Sequence, residues 1–242
     1  MFDAKKVKDE LVKWISDWFE LNGNDCKAVV GISGGIDSSV VAALCVEALG
    51  KSRVYGVLMP NVTQNDIEDA YILCRHLNIR HRKIEIGEAI AYLLIATFKG
   101  HDVPSEQTLI NLPPRIRMST LYAVSQTING RVANTSNLSE SYVGFDTRYG
   151  DSVGDFSPLA NLTKTEIRLV AKELGLPNEL INKTSQDGLC GMSDEEKFGF
   201  SYNVLDKYIR TGEIDDLEVK AKIDAMHEKN LFKLQPMPTF VL

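Results

Sequence analysis

Residues 27–39 constrain the fold of this chain more than any other part of the sequence. They read Lys-Ala-Val-Val-Gly-Ile-Ser-Gly-Gly-Ile-Asp-Ser-Ser, an apolar segment that runs into a loop of small residues. An apolar segment with helical periodicity, 40–49, follows without a break. Because glycine has no Cβ atom, Gly34 and Gly35 let the backbone turn tightly and bring its N–H groups close to an anion. The stretch therefore predicts a buried strand, an anion-binding loop and a helix, in that order.

The loop differs from the two commonest phosphate-binding motifs. A Walker A loop has a lysine after its last glycine, whereas Ile36 and Asp37 follow here, and the Gly-x-Gly-x-x-Gly spacing of dinucleotide-binding folds is absent. Ser33, Ser38 and Ser39 supply hydroxyl groups, and Asp37 supplies a carboxylate where a metal ion bridging phosphates would lie. A glycine turn that binds nothing is the alternative, and the polar residues on both sides favour phosphate binding over it.

Strand-like and helix-like segments alternate along the first part of the chain. Apolar runs typical of strands occupy 28–32, 54–59, 81–86 and 131–134, and helical periodicity occupies 7–21, 40–49, 67–77, 89–98 and 116–128. The alternation predicts a doubly wound α/β fold with a mostly parallel sheet and helices on both faces. Ligands bind such sheets at the carboxyl ends of the strands. The glycine loop and residues 135–140 should therefore face one crevice.

The second part of the chain is expected to add helices to the same domain. Thr163 and Glu166 form a capping box that opens a helix ending at Leu174, and further helices are expected at 194–210 and 215–229. A loop rich in Gly, Asp and Ser covers 149–158. Two polar stretches, 98–109 and 183–192, are candidates for loops that order when a ligand binds. Without a repeat or linker, residues 1–242 are predicted to form a single domain.

Composition and charge exclude several classes of protein. The net charge of −6 gives no basic field for nucleic acid, which argues against a partner of that kind. Charges throughout the first ten residues argue against a signal peptide, and no apolar run has the length of a membrane span. The four cysteines lack a Cys-x-x-Cys pair and indicate reduced thiols in a cytoplasmic protein without a zinc site. They are Cys26, Cys45, Cys74 and Cys190.

The loop 33–38, Ser-Gly-Gly-Ile-Asp-Ser, resembles the pyrophosphate loop of the N-type ATP pyrophosphatases, which cleave ATP between the α and β phosphates. Five later motifs follow in a fixed order: Arg-Ile-Arg-Met at 115–118, Ala-Asn-Thr-Ser-Asn-Leu-Ser-Glu at 133–140, Gly-Phe-Asp-Thr-Arg-Tyr-Gly-Asp at 144–151, Gly-Asp-Phe-Ser-Pro-Leu at 154–159, and Leu-Thr-Lys-Thr-Glu at 162–166. In this order they resemble the ammonia-dependent NAD synthetases over roughly residues 5–235.

The resemblance implies an adenine nucleotide alpha hydrolase-like fold and a ligase that amidates deamido-NAD (nicotinic acid adenine dinucleotide) with ammonia. ATP would activate the carboxylate as an acyl-adenylate, and AMP and pyrophosphate would be released. The implied cofactor is Mg²⁺, held by Asp37 and Glu140, and the implied assembly is a homodimer. Asp37 and Lys164 would be catalytic. ATP would contact Gly31, Ile32, Ser33, Gly34, Gly35, Ile36, Asp37, Ser38, Gln64, Thr135, Lys164 and Ser185. Deamido-NAD would contact Arg115, Arg148, Asp155, Phe232 and Lys233.

Each residue also has a plain structural interpretation. Asp37 and Glu140 could complement helix dipoles, which is worth only about 0.3–1 kcal/mol. Thr135 could start a turn, and Arg115 could be a solvated residue at a helix start. Lys164 in the first turn of a helix is electrostatically misplaced, which favours a ligand role.

The sequence departs from the family pattern at three places. Arg148 stands where the family usually has lysine, Phe232-Lys233 stands where it often has His-Lys, and 183–192 lacks the family's Pro-Ser-Ala and the tryptophan after it. An enzyme that amidates a different carboxylate therefore remains an alternative. A tRNA-thiolating enzyme or a regulator without catalysis is disfavoured, because basic surface and catalytic cysteines are lacking and the metal and phosphate set is complete.

Two further expectations concern nitrogen and assembly. Glutamine-using relatives carry an extra amidase domain, for which this chain leaves no room, so free ammonia is the expected nitrogen source. Apolar faces on the helices predicted at 7–21 and 116–128 are expected to contribute to the dimer interface. Those faces comprise Leu11, Trp14, Ile15, Trp18 and Phe19, and Met118, Leu121, Tyr122, Val124 and Ile128.

Overall fold

A four-stranded parallel sheet lies at the centre of the computed structural model, which describes residues 2–62, 67–100, 102–183 and 193–240. The strands are β1 (Lys27–Gly31), β2 (Val54–Leu58), β3 (Arg80–Lys83) and β4 (Gly130–Ala133). Their order across the sheet is β3-β2-β1-β4, and all three pairings are parallel. The predicted α/β fold is therefore confirmed.

Eleven α-helices accompany these strands in the described part of the chain. They are α1 (Ala4–Asn22), α2 (Ile36–Leu49), α3 (Ile67–His76), α4 (Gly87–Phe98), α5 (Glu106–Thr127), α6 (Leu138–Tyr142), α7 (Lys164–Glu173), α8 (Asn178–Ile181), α9 (Asp194–Phe198), α10 (Tyr202–Thr211) and α11 (Leu217–Leu234). None of these described helices is long and apolar enough to cross a lipid bilayer.

Helices cover both faces of the sheet, as the strand pattern predicts. Alternate residues of β1 point to opposite faces: Ala28 and Val30 join a core with α1, α2, α3 and α7, whereas Val29 joins a second core with α4 and α5. A strand buried on both faces must be apolar throughout, which explains the run Ala28-Val29-Val30. The edge strand β3 differs, because all four of its residues, Arg-His-Arg-Lys, are exposed.

The opening helix α1 packs on its own chain. Ile15 and Phe19 are buried in the first core, and the Trp18 ring stacks on Phe156 with their centroids 4.9 Å apart. Trp14 remains 43% exposed. Most of the apolar face that we expected to meet a second subunit is therefore occupied within the chain.

The predicted start of the fifth helix is wrong by ten residues. The α5 helix begins at Glu106, where Ser105 accepts a hydrogen bond from the Thr108 N–H at 3.2 Å, and it includes Pro113 and Pro114. Proline usually ends or kinks a helix because it lacks an N–H group. The two prolines therefore led to a predicted helix that starts after them, although α5 begins before them. The polar stretch predicted at 98–109 is consequently helical from residue 106 onward.

The prediction of one continuous helix at 194–210 is also wrong, because the structure has two helices there, α9 and α10. Gly199 ends α9 in a left-handed conformation with φ of 75°, and Ser201 caps the start of α10. The short helix α6, capped by Asn137, was not predicted. Residues 184–192 of the predicted polar stretch lie outside the described residues.

A smaller apolar cluster joins the last helices to α6. Its buried members are Val143, Phe198, Phe200, Tyr202, Leu205 and Ile223. This cluster packs α9 and α10 with α6 and α11, and it places the Tyr202 side chain beside the residues described next.

Candidate active site

The sheet has a topological switch point between β1 and β4. From β1 the chain moves to β2 and then β3 on one side, and it returns to add β4 on the other side of β1. The loops that leave the carboxyl ends of β1 and β4 therefore separate and open a crevice. These loops are the glycine loop and the segment 134–137, and the hydrogen bond from Asn137 to Asp37 shows that the two motifs meet as predicted.

The glycine loop is organised by its own serines. The Ser33 N–H donates to Ser38 Oγ at 3.3 Å, and the Gly35 N–H donates to Ser33 Oγ at 3.2 Å. Ser38 and Ser39 Oγ both donate to the Gly35 carbonyl, at 3.1 and 2.8 Å. Gly34 has φ of 86°, a conformation that a side chain would strain. The loop is a fixed turn leading directly into α2.

The amino terminus of α2 is open to an anion. Gly35 is its N-cap residue, and among the described residues no side chain caps the first turn by a hydrogen bond. The first N–H groups of an α-helix have no partner within the helix, and the helix dipole adds positive potential at that end. A phosphate group is the kind of ligand that such a terminus binds.

Lys164 joins Asp37 and Glu140 into one ion cluster. Its Nζ atom lies 2.6 Å from Asp37 Oδ2 and 2.8 Å from Glu140 Oε1. The lysine side chain is 2% exposed, whereas the two carboxylate side chains are 17% and 19% exposed. Asn137 Nδ2 donates to the other oxygen of Asp37 at 3.2 Å. The predicted catalytic and metal-binding side chains therefore lie together at the edge of the crevice.

The backbone around Lys164 is fixed by buried polar contacts. The Lys164 N–H donates to Ser139 Oγ at 2.9 Å, and the Thr165 N–H donates to Asp206 Oδ2 at 2.7 Å. Glu166 Oε2 accepts from the Thr163 N–H at 2.8 Å, which confirms the predicted capping box. A lysine in this first turn opposes the helix dipole, and its carboxylate partners offset that cost.

Burial changes the pKa of both an acidic and the basic member of the ion cluster. It raises the pKa of the Glu140 carboxyl to about 7, and Asp37 adds to the rise while Lys164 opposes it. Burial lowers the pKa of Lys164, but the carboxylates of Asp37 and Glu140 outweigh it and raise that pKa above its usual value. Lys164 therefore stays charged, and the cluster retains a net negative charge when both carboxyl groups are ionised.

Sequence reasoning missed Tyr202 and Asp194. The Tyr202 hydroxyl lies 3.0 Å from Asp194 Oδ2 and 3.4 Å from Glu140 Oε1, so one proton serves two carboxylates. The Tyr202 ring centroid lies 5.1 Å from Lys164 Nζ. Burial raises the pKa of Tyr202, which keeps its hydroxyl protonated. These residues come near Glu140 only when α9 and α10 pack in the folded chain. No local sequence motif therefore predicts their role.

The donor set fits a magnesium ion completed by substrate. Asp37 and Glu140 offer the hard carboxylate oxygens that Mg²⁺ prefers, and both side chains reach solvent at the crevice. The described residues contain no group of three acidic, histidine or cysteine side chains that could hold a metal by itself. The remaining ligands would therefore be phosphate oxygens and water, a common arrangement for Mg²⁺.

Four of the five predicted substrate contacts form a second group. Arg115 Nε donates to the Arg148 carbonyl at 3.3 Å, and the Arg148 guanidinium lies 5.4 Å from the centre of the Phe232 ring. Lys233 Nζ donates to the carbonyls of Gly144 and Asp146 at 2.6 and 2.9 Å. Lys233 thus fixes the loop that carries Arg148, which is a structural role that the sequence did not reveal.

Asp155 is placed apart from that group by its contacts. Its Oδ2 accepts from the Val132 N–H at 2.7 Å, and its Oδ1 accepts from the Tyr122 hydroxyl at 3.2 Å. It therefore lies beside β4 and α5. Thr135 follows β4 by two residues, close to the crevice. Gln64 and Ser185, both predicted to contact ATP, lie outside the described residues.

The chain is similar in sequence to known proteins along most of its length. A sequence profile described as NAD synthase matches residues 7–237. An NH(3)-dependent NAD(+) synthetase of Finegoldia magna is 43% identical over 206 residues, which cover 84% of this chain and 83% of that protein. The corresponding synthetase of Archaeoglobus fulgidus is 38% identical over 241 residues, or 97% of this chain and 96% of that protein.

Solved structures give the same result for the fold. An NMN synthetase from Francisella tularensis superposes with a TM-score of 0.92 at 31% identity, with both chains covered completely. An NH3-dependent NAD synthetase from Campylobacter jejuni superposes with a TM-score of 0.81 at 34% identity, again over both whole chains. With the glycine loop, the ion cluster and the profile match in agreement, this chain belongs to the NAD synthase family of carbon–nitrogen ligases.

Proposed function

We propose that this chain amidates deamido-NAD with ammonia at the expense of ATP, producing NAD, AMP and pyrophosphate. The observation that carries the proposal is the Asp37–Lys164–Glu140 cluster beside the open amino terminus of α2. This arrangement places cationic and hydrogen-bond-donating groups next to oxygen ligands for a metal ion. A reaction between an anionic carboxylate and ATP needs both.

The chemistry has two balanced steps. A carboxylate oxygen of the pyridine ring attacks the α-phosphorus of ATP, and the bond to the β-phosphate oxygen breaks, so pyrophosphate leaves. The ammonia nitrogen then attacks the acyl carbon, loses a proton and displaces AMP. Negative charge grows on the departing pyrophosphate in the first step. Donors that are already fixed in place stabilise such charge without reorganising.

In this proposal the glycine loop binds the departing phosphates. Its backbone N–H groups at 33–38 and the Ser33 and Ser38 hydroxyls would hold pyrophosphate, and Lys164 would provide a charge beside them. Thr135, and also Gln64 and Ser185, would contact ATP. Asp37 and Glu140 would hold Mg²⁺, which neutralises phosphate charge when bound. Support comes from the 2.6 and 2.8 Å contacts that keep the three charged side chains together.

The group formed by Arg115, Arg148, Phe232 and Lys233 is suited to binding the nicotinic acid ring of deamido-NAD. Arg115 and Arg148 carry positive charge, and Phe232 presents an aromatic face that is 53% exposed. Arginine and an aromatic ring together can bind an anionic, planar ring. We assign Arg115, Arg148 and Phe232 to substrate contact on that basis, with Lys233 holding the loop that carries Arg148. Asp155, beside β4, would make a further contact with the same substrate.

A second candidate substrate is nicotinic acid mononucleotide. The superposition on the NMN synthetase has the higher TM-score, 0.92 against 0.81, although its identity is lower, 31% against 34%. Phe232 also stands where the family often has a histidine, and phenylalanine cannot donate the hydrogen bond that a histidine would. A smaller acid without the adenylate half would make less use of that contact.

One assay separates the two substrates. The purified protein would be incubated with ATP, Mg²⁺ and ammonium, and with either acid, while AMP, pyrophosphate and the amide are measured. The main proposal expects the larger kcat/KM with deamido-NAD. A larger kcat/KM with the mononucleotide would establish the second candidate. If neither acid leads to the release of AMP, both candidate substrates are refuted.

We also propose a homodimer formed through α4 and α5. The side chains of Tyr92, Leu93 and Ile95 on α4 are 72%, 42% and 59% exposed, which is unusual for neighbouring apolar residues. A groove of about 530 Å³, which Ala89 of α4 also lines, runs between α5 and the edge of the sheet. Sedimentation should give twice the mass of the chain, and a fully active monomer at micromolar concentration would contradict the proposal.

A cytoplasmic location remains part of the proposal. It is supported by Cys26, Cys45 and Cys74, which are buried as free thiols, as expected in a reducing compartment. Fractionation of the source cells would test the location directly.

A further inference from the structure

Lys183 lies against the glycine loop although it belongs to a distant part of the sequence. Its Nζ atom is 3.4 Å from the Gly34 carbonyl and 2.5 Å from Asp69 Oδ2, at the start of α3. Among the described residues, it makes the only side-chain hydrogen bond from outside the segment 33–39 to a carbonyl of that segment. The residue is 21% exposed, so its charge is accessible from the crevice.

The ammonium group of Lys164 is engaged elsewhere. Its two carboxylate partners lie within 2.8 Å and its side chain is 2% exposed. Because two carboxylates partly balance the Lys164 charge, further positive potential at the loop comes from the helix terminus and from other cations. Lys183 is placed to supply it, because its ammonium already touches the loop.

We propose that Lys183 is a phosphate-binding residue of the glycine loop, a role that rests on the proposed use of ATP. A phosphate cradled by the N–H groups after Gly34 would lie within reach of an ammonium bonded to the Gly34 carbonyl. Lysine acts on phosphates as a flexible point charge with three donors. A phosphate oxygen would then replace Asp69 as its acceptor, so Asp69 competes with the ligand for the ammonium group.

The competing interpretation is that the Lys183–Asp69 pair only connects α3 to the loop. The two interpretations differ in what they expect of Asp69. If the pair is only a structural connection, removing either partner harms the loop equally. If Lys183 binds phosphate, replacing Asp69 with asparagine removes a nearby negative charge and does not weaken the binding of an anion.

Calorimetric titration with inorganic pyrophosphate and Mg²⁺ tests the proposal without catalysis. Lys183→Met should weaken pyrophosphate affinity at least about 10-fold, the usual loss for a hydrogen bond to a charged group. Lys183→Arg should recover most of that affinity, and Asp69→Asn should match or exceed the wild type. Lys51→Met, which removes an exposed charge just before β2 at the other end of the sheet, is the matched control and should bind normally.

Kinetics give an independent measurement. Lys183→Met should raise the KM for ATP and the inhibition constant of pyrophosphate by similar factors, and leave the KM for ammonia unchanged. Circular dichroism establishes that each variant is folded. Unchanged pyrophosphate affinity in folded Lys183→Met, or equal losses in Lys183→Met and Asp69→Asn, would overturn the role of Lys183 alone. Failure of the wild type to bind pyrophosphate would overturn the phosphate-binding loop as well.

Discussion

At the scale of single residues, the site depends on the ion pairs that Lys164 forms with Asp37 and Glu140. Lys164 is nearly inaccessible to solvent and still charged, because Asp37 and Glu140 lie within 2.8 Å of its Nζ atom. Removing one partner of a buried ion pair leaves the other uncompensated, which is costly. The contacts of Tyr202 and Asn137 with the carboxylates limit how far these side chains can move.

The carboxylates themselves give the first prediction. Asp37→Asn and Glu140→Gln should each reduce ATP-dependent AMP formation by about 100-fold or more, because both remove charge where Mg²⁺ and pyrophosphate would bind. The measurement is AMP release at saturating Mg²⁺. Asp17→Asn removes an exposed carboxylate paired with Lys13 on α1, so it is the control and should keep full activity. Near wild-type turnover by either site variant would exclude its carboxylate as a ligand.

Tyr202 gives a prediction about positioning. Tyr202→Phe keeps the buried ring and removes the hydroxyl that contacts Asp194 and Glu140. The Mg²⁺ concentration needed for half-maximal activity should rise about 10-fold, since groups behind a metal ligand commonly change affinity by 10- to 100-fold. Tyr208→Phe is the matched control on the same helix, because Tyr208 likewise donates to a carboxylate, Asp224, at 2.7 Å. Equal Mg²⁺ requirements in both variants would show that the Tyr202 hydroxyl has no positioning role.

At the scale of secondary-structure elements, the sequence predicts local features well and distant ones poorly. The β1–loop–α2 unit is visible because its glycines, serines and apolar runs are contiguous. The start of α5 is hidden by Pro113 and Pro114, and the break between α9 and α10 was missed because apolar periodicity continues across Gly199. Tyr202 and Lys183 reach the site only through tertiary packing. No pattern in their own neighbourhoods could have revealed those contacts.

The docking of α11 gives an element-scale prediction. Gly144 has φ of 69°, and a Cβ atom there would overlap the Asn230 side chain of α11. Gly144→Ala should therefore displace α11, with its Phe232 and Lys233, and cost at least about 2 kcal/mol of unfolding free energy. Gly212→Ala is the control, since Gly212 has φ of 71° but open space around it, and should cost only about 1 kcal/mol. Chemical denaturation measures both, and equal costs would contradict the predicted overlap.

At the scale of the whole molecule, the burial of the described thiols is relevant to the nitrogen source. Glutamine hydrolysis by an amidase needs an accessible thiolate. Burial raises the pKa of Cys45 to about 12 and that of Cys74 to about 11, and Cys26 is buried as well. Burial therefore makes these three thiols poorly suited to act as nucleophiles. Cys190 lies outside the described residues.

The purified chain should accordingly use ammonium and show no measurable turnover with glutamine. Product formation with each nitrogen donor, after removal of contaminating ammonia from the glutamine, is the measurement. A Cys190→Ser variant completes the test, because it should behave like the wild type with both donors. Sustained glutamine-dependent synthesis by the wild type would refute the prediction.

The exposed strand β3 has a consequence for how the protein behaves in a crowded solution. An unpaired sheet edge is a template on which another strand can add, and long apolar edges of this kind seed aggregates. Here the edge is four residues long, and every side chain on it, Arg80, His81, Arg82 and Lys83, is basic and exposed. If β3 of a second molecule paired with this edge, the positive charges of the two strands would repel each other. The charges on β3 thus disfavour the addition of a further strand at this edge.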